Sequence, residues 1–121
     1  MHSRSSFGWA LAGFLAVAAA SAQTTAQDTD GSSFMNDMDV SMKTMDHDMS
    51  AAPMTMNADH DFAAMMIPHH QGAIDMAKAE LKYGKDPTLR RLAEEIIVDQ
   101  KSEIDLMDRW LKKQTAAKEK P

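Results

Sequence analysis

"MMIPHHQGAIDMA", residues 65–77, decides how this chain is read. It puts three methionines, two adjacent histidines, a proline and a glycine into one run. The flanks keep a helical period, yet proline and glycine are the two worst residues for a helix interior. On a helix, Phe62, Met66, His69, Ala73, Met76 and Glu80 fall in one stripe. Ala63, Ile67, His70, Ile74, Ala77 and Leu81 form the neighbouring stripe. Both histidines are therefore expected on the apolar side of the helix rather than in solvent. Pro68 has no N–H for the carbonyl of Ala64, and its ring should kink the helix there. Gly72 leaves room for a close neighbour.

Working outward, the helix is expected to start at Asp59, a good N-cap, and to run to Tyr83. Gly84 sits where a left-handed residue would end it. "GKDP", residues 84–87, makes a short connection. Asp86 can cap the next helix and Pro87 suits its first position. That helix should run to about Lys113, carrying Leu89, Leu92, Ile96, Ile104, Met107 and Trp110 at helical spacing. Residues 114–121 read as a fraying tail. So short a connection implies an antiparallel hairpin over 59–113. Its register puts Met65 and Met66 level with Met107, and His69 and His70 level with Gln100 to Ile104. One end of the hairpin then gathers Met65, Met66, His69, His70, Glu103 and Met107.

Upstream, Met35, Met38, Met42, Met45 and Met49 are spaced three, four, three, four. This predicts an apolar stripe on a further helix, starting after Ser32 or Ser33. Pro53 and Asn57 break it, so residues 34–58 are a methionine-rich helix and loop. Residues 23–33 are polar and aperiodic and read as a flexible linker. Residues 1–22 look like a cleaved signal peptide. Arg4 supplies the positive end, "FGWALAGFLAVAAA" the apolar core and "ASA" at 20–22 the cleavage site. Export to the periplasm or beyond the cell is the expectation, with no stable membrane insertion after cleavage. No strand alternation occurs. The fold class expected is all-α: a small antiparallel helical bundle, with self-association available to cover what it leaves exposed.

The balance of 13 basic and 18 acidic residues gives a net charge of −5. That excludes a nucleic-acid partner, whose phosphates need a basic surface, and favours cations. There is no cysteine, so neither disulfides nor thiolate metal sites are available. Methionine is the opposite case, at 12 residues in 121. There is no H-E-x-x-H, no EF-hand loop, no phosphate loop and no serine nucleophile motif, so the chain is not expected to be an enzyme.

For the histidine pair, one reading is buried imidazoles satisfied by Gln100 and Glu103. The other is metal ligation, which the flanking methionines favour. For Met35 to Met49, core packing competes with ligation. Packing stripes favour leucine, isoleucine and valine, whereas this one is methionine throughout. Met54 and Met56 extend the cluster into a loop where no core needs them, with His47 and His60 close by. Thioethers are soft, neutral ligands that select Cu(I) or Ag(I) over zinc and hard ions, and imidazole also accepts Cu(II).

"MIPHHQGAIDMA", "GKDP" and the pattern Q..EI..M..W from Gln100 to Trp110 are specific enough to be compared. Over residues 61–111 the chain resembles the domain-of-unknown-function 305 family. The resemblance implies a ferritin-like helical fold. It also implies a role like that of exported copper-binding proteins of the CopM type. Carried over, the implied ligands are Met66, His69, His70, Met76 and Met107, with Met65 adjacent. This sequence carries one copy of the helical core, where such proteins can carry a longer or doubled one.

The function expected is Cu(I) sequestration, or transfer to a partner protein, in copper tolerance. The alternative is a metal-free helical interaction module with a methionine-rich binding surface.

Overall fold

The computed structural model describes the backbone of residues 19–118 and the side chains of residues 29–118. Most of the expected signal peptide, residues 1–18, lies outside the described residues, as do residues 119–121. Among the described residues there are three helices and no strand: α1 (Ala19–Ser50), α2 (Ala58–Tyr83) and α3 (Pro87–Lys118). The all-α expectation holds.

α1 is longer than the methionine stripe. Residues 23–33, expected as a flexible linker, are helical, and the helix passes Ser32 and Ser33 without a cap. Propagating an existing helix adds one hydrogen bond per residue and avoids the cost of nucleation. Gly31 does not interrupt it: no glycine among the described residues takes a positive φ. The C-terminal tail likewise stays helical to Lys118. Alanines at 116 and 117 favour this, and the Thr115 hydroxyl donates back to the Leu111 carbonyl at 3.2 Å.

The start of α2 differs by two residues from the expectation. Asn57, not Asp59, is the N-cap: its side-chain oxygen accepts the His60 N–H at 3.0 Å. Asp59 and Asp61 fall in the first turn, where carboxylates oppose the positive end of the helix dipole. α2 then runs through Pro68 as one helix.

Gly84 is not left-handed. Its φ of −68° and ψ of 148° are extended, and its N–H closes the helix on the Glu80 carbonyl at 2.7 Å. The extended exit suits a three-residue connection into Asp86–Pro87, since the residue before proline avoids helical angles. A Cβ at Gly84 would run into the Glu80 carboxylate and carbonyl. Arg90 fastens this turn by donating to the carbonyls of Leu81 and Gly84, at 2.6 and 2.9 Å. Asp86 caps α3 as expected, accepting the N–H groups of Thr88 and Leu89.

α2 is the centre. α1 and α3 each pack against it, and not against each other. α1 lies antiparallel to α2: Phe34 meets Tyr83 edge-on at 6.3 Å, and Asp37 accepts from Lys82 and Tyr83, both at 2.9 Å. Further along, Met45 sits directly on Gly72. A Cβ there would come within 2.7–2.8 Å of the Met45 side chain, so the glycine sets the α1–α2 distance. Among the described residues the buried apolar ones are Ala63, Ala64, Ile74, Ala77, Ala79 and Ala93. The core is thus made of alanines around one isoleucine, and it brings the helices close rather than filling a large interior.

Candidate metal centre

The hairpin register brings His70 level with Glu103, as expected. His70 on α2 faces Glu103 on α3, with Nε2 and Oε2 2.6 Å apart. A carboxylate only accepts, so Nε2 carries the proton and donates. In the neutral ring, Nδ1 then holds a bare lone pair. His70 is 8% exposed, and its Nδ1 is buried with no hydrogen-bond partner. A carboxylate holding one ring nitrogen while the other stays free is the arrangement that orients histidine for a metal.

His69 does not join it inside. The sequence placed both imidazoles on the buried side, but His69 is exposed. Its ring centroid lies 5.9 Å from that of His70. Neighbouring helix positions differ by about 100°. That step points His70 at α3 and His69 into the open stripe of Phe62, Met66, Ala73 and Met76, over which no helix lies.

The methionines divide among three places. Met65, Met66 and Met107 are half-buried near the hairpin end, Met107 beside Ala63 and Trp110. Met38 of α1 and Met76 of α2 line one apolar groove. Met54 and Met56 project from the α1–α2 loop, at 58% and 97% exposure.

The stripe on α1 is not one face, contrary to its spacing. Met38, Met45 and Met49 are half-buried against α2, and Met35 and Met42 are turned to solvent. α1 packs along Phe34, Met38, Ser41, Met45 and Met49. Phe34 and Ser41 take the contact positions, and Met35 and Met42, each one residue further on, are turned about 100° toward solvent.

His47 is exposed and pairs with Asp48 at 2.9 Å, away from the hairpin histidines along the sequence of α1. His60 is half-buried, its Nδ1 3.2 Å from Asp61. Among the described residues, no three His, Cys, Asp or Glu side chains come together as a metal-binding group. Any ion held here would draw on thioether sulfur.

Two residues escaped the sequence reading. Asp61 accepts the N–H groups of Thr55 and Met56 and the Thr55 hydroxyl, at 2.7–3.0 Å. These bonds, the Thr55 N–H first, hold its carboxyl below the usual range. They fix the loop with Met56 at a φ of 65°. Asp37 pins α1 to α2, and the Lys82 and Tyr83 bonds lower its pKa. An aspartate in the first turn of a helix signals the former; nothing in the spacing signals the latter.

A model of the family described as "Domain of unknown function (DUF305)" matches residues 10–111. The chain belongs to this family. Over 50 residues it is 42% identical to "Uncharacterized protein L153" of Acanthamoeba polyphaga mimivirus. The match covers 41% of this chain and 33% of that protein, so the chain spans about a third of the relative's length. The DUF305 match extends across all three helices, from the methionine helix through the hairpin. Among the described residues no helix is long and apolar enough to cross a membrane.

Proposed function

We propose that this DUF305 protein is an exported copper-binding protein of the CopM type. It holds Cu(I), or passes it to a partner protein, in copper tolerance, and it is not an enzyme. The observation that carries this reading is where the methionines are. Twelve occur in the sequence, and of the eleven after Met1 none is fully buried. A methionine used for packing belongs in the core, and this core is built from alanine. Thioethers kept at the protein–water boundary are reachable by an ion. His70, with a free buried Nδ1 and Glu103 behind it, adds one borderline ligand to a soft set. The net charge of −5 draws cations toward it. Thioethers need no deprotonation, so acid weakens only the histidine share of the affinity.

The test is competition against a Cu(I) chromophore under reducing, anaerobic conditions. Cu(I) and Ag(I) should bind far more tightly than Zn(II), Ca(II) or Mg(II). A zinc preference, or no withdrawal of Cu(I) from a weak chromophore, rejects the reading in favour of a metal-free interaction module.

A further inference from the structure

The three helices form a single layer with two unlike faces. On one face of α2, Gln71, Asp75, Lys78 and Lys82 are polar, and the groove there continues onto Asp37 and Thr44 of α1. On the other, the stripe from Phe62 through Met66, His69 and Ala73 to Met76 has no helix above it, because α1 and α3 do not meet. There the groove has Phe34 and Met38 as one wall and Leu89 and Leu92 as the other, over a floor of Ala73 and Ala77. Leu89 and Leu92 are 52% and 49% exposed, and Phe62, at the far end of the stripe, 61%.

A stable domain buries such a face against a second layer. We propose that a second copy of this chain supplies it, with two chains pairing apolar face to apolar face about a two-fold axis.

Two observations select a second copy. The face is self-complementary. A two-fold axis lays the leucine ridge of α3 onto the alanine floor of the partner's α2, and the reverse contact forms at the same time. Among the described residues Glu80 is the one charged residue lining the groove, so two acidic chains meet where little like charge opposes them.

Pairing has a consequence for the metal centre, which rests on the copper reading. Met38, Met66, His69 and Met76 all lie on this face or in its groove. Two chains bring two such sets together, and the soft ligands that one chain leaves scattered are completed by the partner.

The test uses the metal-free protein, so its outcome is independent of whether copper binds. Light scattering after gel filtration should give twice the single-chain mass, the latter read by mass spectrometry under denaturing conditions. Leu89→Asp/Leu92→Asp should halve the native mass with helicity by circular dichroism retained. Val40→Asp, in the groove of the polar face, should leave the mass doubled. If the leucine variant loses its helicity, the wild-type mass alone decides. A wild-type chain that runs at single-chain mass overturns the proposal and leaves the face to a different protein. So does a folded leucine variant that keeps the doubled mass.

Discussion

His70 and His69 show how much one helical step decides. His70 lies under α3 with Nε2 on Glu103, and His69 lies in the open stripe. Glu103 is itself exposed, and its contact with His70 orients the ring. Glu103→Ala should therefore lower Cu(I) affinity by about 10-fold or more, as losses of such orienting carboxylates do. Glu103→Gln can still accept from Nε2 and should retain part of that affinity. Both variants should keep wild-type helicity, which competition and circular dichroism together check. Equal affinity for Glu103→Ala and wild type would remove His70 from the ligand set. The pairing of His70 with Glu103 was legible in the sequence, since the hairpin register follows from one short connection. The exposure of His69 was not. A helical wheel relates residues on one helix to one another, and it cannot tell which side a neighbour will occupy.

The same limit acts on whole elements. Helix periods and the Asp86–Pro87 start of α3 were readable. The extension of α1 through residues 23–33 was not, because polar composition reads as a linker while helix propagation is locally cheap. Two glycines separate the roles of α1. Gly72 sits under Met45, whose Cβ and Cγ as well as its sulfur lie in the way of any added Cβ. Atoms so near the backbone do not swing aside, so α1 must move. Gly72→Ala is expected to destabilise by about 1–3 kcal/mol. Gly31 is helical with nothing within 4 Å. Gly31→Ala should stabilise by about 0.5–1 kcal/mol by restricting the unfolded chain. Urea unfolding of the two variants checks both signs. Equal effects would mean that α1 does not depend on the Met45–Gly72 contact.

At the scale of the molecule, a single layer of helices keeps its methionines at the boundary and its alanines inside. The alanine core was hidden in the sequence because alanine suits both helix surfaces and helix contacts. The excess of methionine was plain and favoured ligation, yet sequence alone left core packing as a second role for the same residues. Exposure separates them for Met35 and Met42, which touch solvent. For Met38, Met45 and Met49 only chemistry can. Changing all five to leucine roughly conserves volume, at a cost usually below about 1.5 kcal/mol for each buried position. It also removes the sulfur. The direct measurement is bound Cu(I) per chain in this five-fold variant and in the wild type, with helicity recorded on the same samples. The account predicts a helical variant that holds less Cu(I) than the wild type; a helical variant with wild-type copper content would contradict it.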